Sequence, residues 1–338
     1  MRSLKDYIIR GLRLVYRSVS RKQFLRPECE YDRQVANDMI YGLLASDKPC
    51  MIARIGGIES NCAINYLCVN SNKPTRKKWL EYITENIETP WWNNNVIESL
   101  YNNAGVFPPT QQIAERFSVR FLDDIPEIDL LVCIHNTERF MPVSPTALKV
   151  EFETLLPYFV ERPWTRILRG KRVLVIHPFE QTILQQYKKR DLLYSDPNIL
   201  PEFELITIKA VQTIAGNKSK YNDWFEALQS MENQIDKVDF DIALIGCGAY
   251  GLSLAAYIKR KGKKAVHMGG SLQLLFGILG KRWAVDYPMK SPWQYRPGVY
   301  VDRDYSPLFN EHWQYPLEED TPHNTKAIEG SCYWKPQQ

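Results

Sequence analysis

Between Arg172 and Leu279 the chain alternates short apolar runs with longer stretches of helical spacing, and this alternation restricts the possible folds more than any other feature. The runs Arg172 to Ile176, Phe203 to Ile208, Asp241 to Ile245 and Lys264 to Met268 are rich in aliphatic strand formers, while residues 179–190, 221–236, 250–261 and 271–279 read as helices. Strands too apolar to leave one face in water, separated by helix-length crossovers, predict a mostly parallel sheet with helices on both faces. The expected fold class is therefore α/β and Rossmann-like. Two earlier runs extend the pattern. Pro49 to Gly57 (PCMIARIGG) stops at a glycine pair before a helical Glu59 to Cys68, and Asp129 to Ile134 (DLLVCI) ends at His135-Asn136. Residues 75–120 and 146–160 are expected to be largely helical.

A chain of 338 residues that is 44% apolar and 12% aromatic can bury a sizeable core, which excludes global disorder. The longest charge-free stretch, Ile242 to Ile258, carries three glycines in a turn-like cluster and falls short of the roughly 20 residues of a membrane span. The seven cysteines form no CxxC pair and no leader with an uninterrupted apolar core precedes them, so a reducing cytoplasmic location is expected.

Residues 1–26 hold eight Lys or Arg against one acid, a net +7, so with the whole chain at +4 the other 312 residues carry −3. A nucleic-acid-binding body is thereby disfavoured. Within this segment Leu4, Ile8, Leu12, Val15 and Val19 recur at helical spacing with arginines interleaved. Two uses are open to such a helix: lying on an anionic membrane, or packing its apolar stripe on the body or on a second subunit of a homo-oligomer. The organisation read from these features is an N-terminal helical segment (1–45), a Rossmann-like domain (46–285) and an irregular C-terminal wrap (286–338). Residues 284–338 contain seven of the 21 prolines and ten aromatics, which predicts an ordered wrap across the sheet edge or over the site.

In open parallel sheets ligands bind beyond the carboxyl ends of the strands, so the residues after each run are the informative ones. Arg54-Ile55-Gly56-Gly57-Ile58-Glu59 offers a tight turn, a helix N-terminus for an anion, a cation in Arg54 and a carboxylate in Glu59; a structural ion pair is the alternative. His177, after the run at 172–176, is a candidate proton carrier or phosphate contact, and Glu180 a helix cap or metal ligand. Gly246-Cys247-Gly248-Ala249-Tyr250-Gly251 matches GxGxxG between a strand and a helix, as a diphosphate cradle requires. The acidic residue that a dinucleotide site places about 20 residues later is missing: that region reads Ala265 to Gly270. Gly269-Gly270 with Gln273 forms a second glycine turn at a helix start, and Gln212 is a weaker neighbour. In the wrap, Glu311 and His312 beside Trp313, with Glu329 and Tyr333-Trp334 farther on, would suit a sugar or anchor the tail. No GxxxxGK[ST], HExxH, GxSxG or clustered Cys/His pattern occurs.

Together, the Arg54-Gly56-Glu59 turn, the His177-Pro178-Phe179 turn followed by a helix ending at Tyr187 to Arg190, and the Gly246-to-Gly251 turn resemble glycosyltransferases of the GT-D fold, bacterial enzymes of surface-glycan and glycoprotein assembly. The resemblance spans about residues 45–285. In that family the first turn reads Arg-aromatic-Gly-Asp-Gly-Glu, and its Asp-x-Glu pair belongs to the nucleotide-sugar and metal site. The Arg falls on Arg54, the first Gly on Gly56 and the Glu on Glu59, but Gly57 stands where the family has Asp. The second half, with its 246–251 turn and Asn310 to Trp313, also resembles uncharacterised proteins of capsule and lipopolysaccharide loci. The resemblance implies transfer of a sugar from a nucleotide-diphosphate sugar to a hydroxyl of a glycan or lipid-linked acceptor. Mn²⁺ or Mg²⁺ would sit at Glu59, held less firmly by one carboxylate than by two. Two other readings stay open: a noncatalytic nucleotide- or glycan-binding partner, and a nucleotide-dependent oxidoreductase.

Overall fold

The computed structural model describes residues 4–20, 26–322, 324–327 and 330–336. Helices α1 (Leu4–Ser20) and α2 (Arg33–Ala45) precede strand β1 (Cys50–Arg54). Helices α3 (Gly57–Val69), α4 (Thr75–Ile83), α5 (Asn94–Ala104) and α6 (Gln111–Asp124) lead to β2 (Leu130–Cys133), β3 (Leu148–Glu151) and the single turn α7 (Phe152–Leu155). The second half runs β4 (Arg172–His177), α8 (Glu180–Tyr187), α9 (Arg190–Leu193), β5 (Glu204–Lys209), α10 (Trp224–Ile235), β6 (Ile242–Ile245), α11 (Tyr250–Arg260), β7 (Lys264–His267) and α12 (Leu272–Leu275). A hairpin, β8 (Trp293–Arg296) and β9 (Val299–Val301), follows.

Strands β1 to β7 form one parallel sheet in the order β3-β2-β1-β7-β6-β4-β5. The continuous apolar runs are explained by its burial on both faces. Successive side chains of a strand point to opposite sides, so Met51 and Ala53 of β1 join the core under α3, α6, α10 and α11, while Cys50 and Ile52 join the core on the α2 and α8 side. The register sets Ile52 opposite both Leu130 and Val266, and Ile245 opposite both Ile176 and His267. The carboxyl ends of β1, β2, β4, β6 and β7 consequently open along one edge of the sheet.

Two expectations change. Residues 146–160 are not a helix: Leu148 to Glu151 pair with β2 as an edge strand, and only one helical turn fits before Pro157. The helix expected over 271–279 is one turn long, because Gly277 takes a left-handed φ of 64° with Leu193 packed against it. Residues 1–45 hold two helices, the first of them the amphipathic one. The second, α2, is capped by Asp32, which accepts from Val35 N–H, and it packs on α7 and the turn at Trp164–Leu168.

Helix α1 lies the other way round from a core-packing amphipath. Arg13 donates to Ile87 O at 3.0 Å and to Glu88 at 3.1 Å with its guanidinium 4.3 Å from the Tyr82 ring, Arg10 lies over Trp91, and Arg17 is 3.7 Å from Glu85. Ile8, Leu12, Val15 and Val19 face solvent; the Leu4 side chain and residues 1–3 and 21–25 of the basic segment lie outside the described residues. Among the described residues no helix is long and apolar enough to cross a membrane.

The C-terminal wrap is ordered by backbone pairing and aromatic anchors. Leu279 N–H donates to Gln314 O, Lys281 N–H to Trp334 O and Arg282 N–H to Cys332 O, while Trp334 packs edge-on against Phe179 at 5.6 Å.

Candidate functional site

Strand ends, two helix starts and the wrap enclose one cavity of about 620 Å³. Arg54 leaves the end of β1 and the turn Gly56-Gly57 starts α3, whose N-terminus has no side-chain cap. Gly246 and Gly248 end β6 and lead into α11, again without a side-chain cap. The first amides of an α-helix have no intrahelical acceptor and carry the positive end of its dipole, so both starts attract an anion. Gly269 and Gly270 turn the chain after β7 on the same wall.

Glycine is needed at these bends for close approach. A Cβ on Gly269, whose φ is 63°, would collide with Arg54 Nη1, and one on Gly246 would lie 2.6 Å from Gly269 O and 2.7 Å from the His177 ring. The three turns thus touch one another through Arg54 and His177. Arg54 makes no hydrogen bond or ion pair among the described residues, and its Nε is buried without a partner.

Twelve of the sequence candidates line this cavity: Arg54, Gly56, Gly57, Glu59, His177, Gln212, Gly246, Gly248, Tyr250, Gly269, Gly270 and Gln273. Several have structural duties there. Glu59, at the third position of α3, folds its carboxylate back over Gly56. Gln273 donates to the carbonyls of Ile278, Leu279 and Tyr333 and so ties the wrap to α12. Tyr250 stacks on Trp224 at 5.0 Å. His177 accepts the Phe179 N–H at Nδ1, and burial pushes it down to about 3, which favours its neutral form.

Three candidates are placed elsewhere. Gly251 packs on His267, inside the α11 start rather than on the cavity wall. Glu311 and His312 do not approach the site from the wrap. They pair with each other at 3.6 Å, His312 O accepts from Gln186, and the neighbouring Asn310 and Trp313 donate to the carbonyls of Leu192 and Leu193. That motif is the wrap's anchor on α8 and α9. Glu180 is also off the cavity wall, and Glu329 lies outside the described residues.

The cavity also contains residues that motif spacing does not single out. Among the described residues, Arg26, Arg282 and Arg303 join Arg54 on the wall, against two carboxylates, Glu59 and Glu153. Glu153 accepts the Tyr305 hydroxyl, and burial pushes it up to about 7. His135, after β2, and His267, at the end of β7, are driven down to about 4 and about 3, first by burial and then by the Arg54 charge. The cavity is therefore cationic and its imidazoles are neutral. The sequence signal for this was the clustering of Arg and aromatics in the wrap, together with the His-Asn pair closing β2.

A divalent ion is not well provided for. A Cβ at Gly57, the position where the GT-D turn has Asp, would lie 3.1 Å from His135 Nε2, so the imidazole crowds the place of the second carboxylate. Glu153 is committed to Tyr305 and Arg303. Among the described residues no group of three or more His, Cys, Asp or Glu is assembled to hold a metal. The donors present suit phosphate oxygens rather than a cation.

No family model, no curated protein and no solved structure matches the chain.

Proposed function

We propose that the protein is a glycosyltransferase that takes a nucleotide-diphosphate sugar as donor and a hydroxyl of a glycan or lipid-linked molecule as acceptor, in the assembly of capsule, lipopolysaccharide or a related surface glycan. The observation that carries this reading is the meeting of the glycine turns at 56–57, 246–248 and 269–270 with the unpaired Arg54 on one cationic cavity. Backbone amides and a fixed guanidinium aimed at a departing diphosphate stabilise the charge that develops as the glycosidic bond breaks. In this reading Arg54 and the α11 amides hold the diphosphate, neutral His177 offers a hydrogen bond, and Glu59 orients the acceptor hydroxyl or receives its proton. Leaving-group charge falls to arginine rather than to a metal.

A thermal-shift panel of nucleoside diphosphates and their sugars, with and without Mn²⁺ or Mg²⁺, tests it. A ligand at 100 times its dissociation constant adds about 2.7 kcal/mol to the folded state. At least one nucleoside diphosphate is expected to do so without metal and to lose most of the effect in Arg54→Gln. The reading is abandoned if none stabilises the protein. A noncatalytic nucleotide-binding role is the second reading, favoured by Gly57 and by the folded-back Glu59. Turnover of any nucleotide sugar by the purified protein rules it out.

A further inference from the structure

We infer that Arg26 and Arg303 form a second anion subsite in the cavity, separate from the glycine turns, which takes a phosphate or carboxylate group of a ligand. The two guanidiniums are held through their faces. Arg303 lies 3.9 Å from the Tyr287 ring and 4.4 Å from Trp293, and Arg26 lies 4.1 Å from the same Trp293 and 4.8 Å from Tyr295. A stacked guanidinium keeps its in-plane N–H edge free, and that edge is the part that recognises planar or tetrahedral oxyanions.

Among the described residues no hydrogen bond takes up those edges, and the one ion pair is the loose contact of Arg303 Nε with Glu153. Arg26 Nη1 and Arg303 Nε are buried without a hydrogen-bond partner although both residues border the cavity. The nearest carboxylates make no hydrogen bond to either guanidinium, and Glu138 and Glu151 each keep one buried oxygen without a partner. Glu138 Oε1 accepts the N–H groups of Ile134 and His135, Glu151 accepts Glu153 N–H, and Glu153 accepts the Tyr305 hydroxyl while standing 3.9 Å from Arg303 Nε, beyond hydrogen-bond range. Burial favours the neutral form of all three carboxyls and so lowers their power to offset the two arginines. The cage is also preorganised. Arg33 donates to Glu153 O and Asp302 O, and Arg303 N–H donates to Ser291 Oγ, which fixes the strap around Arg303 before any ligand arrives.

On the sugar-transfer reading, and resting on it, the subsite selects an acceptor or a transferred sugar that is itself acidic or phosphorylated. The subsite stands without that reading, so the test uses simple anions. Full-length protein is titrated by calorimetry with inorganic phosphate and separately with acetate, at constant ionic strength in chloride. Saturable phosphate binding is expected that is weakened at least tenfold in Arg303→Met and in Arg26→Met, whereas Arg54→Gln removes only the phosphate taken up at the glycine turns and leaves this component in place. Circular dichroism and denaturant midpoints of each variant confirm that it is folded, and Arg303→Lys, which keeps the charge but loses the fork, is expected to recover only part of the affinity. Saturable acetate binding with the same dependence identifies a carboxylate as an accepted group, and phosphate binding alone identifies a phosphorylated ligand. Absence of binding by both anions, or binding lost in Arg54→Gln and retained in the two Met variants, overturns the proposal. A nucleoside diphosphate titration run in parallel reports on the glycine turns, so failure of one site is told apart from failure of the other.

Discussion

Replacing Gly269 by Ala separates the anion site from ordinary backbone strain. Gly269 has φ 63°, and a Cβ there would meet Arg54 Nη1, Cδ at 3.0 Å and Cζ at 3.3 Å. An L-residue in the left-handed region costs roughly 1–2 kcal/mol, and Arg54 must in addition swing away from the β7 turn. Gly262 supplies the control. It has φ 80°, nothing lies within 4 Å of its would-be Cβ, and it sits in the turn between α11 and β7, at the opposite end of those elements from the cavity. Gly262→Ala therefore carries the strain without the displacement.

Both variants are expected to lose about 1–2 kcal/mol in denaturant unfolding. They should differ in ligand response. A charge-assisted hydrogen bond contributes about 1.5–3 kcal/mol, and losing about 2 kcal/mol of Arg54 contacts weakens a diphosphate about 30-fold. At a concentration that stabilises wild type by about 2.7 kcal/mol, Gly269→Ala should then gain only about 0.9 kcal/mol, while Gly262→Ala keeps the full shift. Equal ligand shifts in the two variants would refute the coupling between the β7 turn and Arg54, and with it the placement of the diphosphate.

Three more outcomes follow from the same coordinates. Burial holds His135, His177 and His267 at about 4, 3 and 3 against an ordinary 6.5, and holds Glu138, Glu153 and Glu151 at about 7, 7 and 8 against 4.5. The glutamate contribution is fully present below 4.5 and is lost as pH rises through 7 to 8, whereas the histidine contribution is present above 6.5 and is lost as pH falls towards 3. The two trends oppose each other from about 4.5 to 6.5, so denaturant midpoints should be flat there, fall towards pH 8, and fall again below 4.5; a stability maximum at pH 8 contradicts this. Trp224→Ala, which empties a fully buried site stacked on Tyr250 and edge-on to Phe117, should cost about 3–5 kcal/mol in equilibrium unfolding, and a loss under 1 kcal/mol would mean that the ring is not core. Val15→Asp with Val19→Asp on the outward face of α1 should leave the thermal midpoint nearly unchanged but reduce co-sedimentation with anionic vesicles, and unchanged co-sedimentation removes the proposed membrane contact.

The central sheet was legible because a strand buried on both faces has to be apolar at every position, as Val173 to Ile176 and Ile242 to Ile245 are. The glycine turns were legible for a related reason: at carboxyl ends of parallel strands the backbone bends and packs closely, and only glycine permits both. Leu148 to Glu151 was illegible as a strand because an edge strand of four residues with Lys and Glu in it has no periodic signature, and its pairing with β2 is a tertiary fact. Helix α1 showed its amphipathicity but not its orientation. The pattern Ile8, Leu12, Val15, Val19 says that one face is apolar; that Arg13 docks on Tyr82 and Glu88 depends on aromatic and acidic residues about 70 positions away.

The electrostatic character of the site lay furthest from what motifs convey. Motif logic placed chemistry at Glu59 and read Gly57 as a lost metal ligand, which left a diphosphate site short of positive charge. The compensation comes from Arg26, just before the body, and from Arg282 and Arg303 in a segment without periodicity. Each is delivered by a long-range contact: Arg303 by the strap that Arg33 pins through Asp302 O, Arg26 by stacking on Trp293 and Tyr295 of the hairpin. Gly57 leaves Glu59 as the one carboxylate of the α3 start, with neutral His135 beside it, and the wrap over the carboxyl edge of the sheet brings Arg282 and Arg303 to the same cavity, so the charge that an oxyanion would meet there is supplied by segments remote in sequence from the glycine turns.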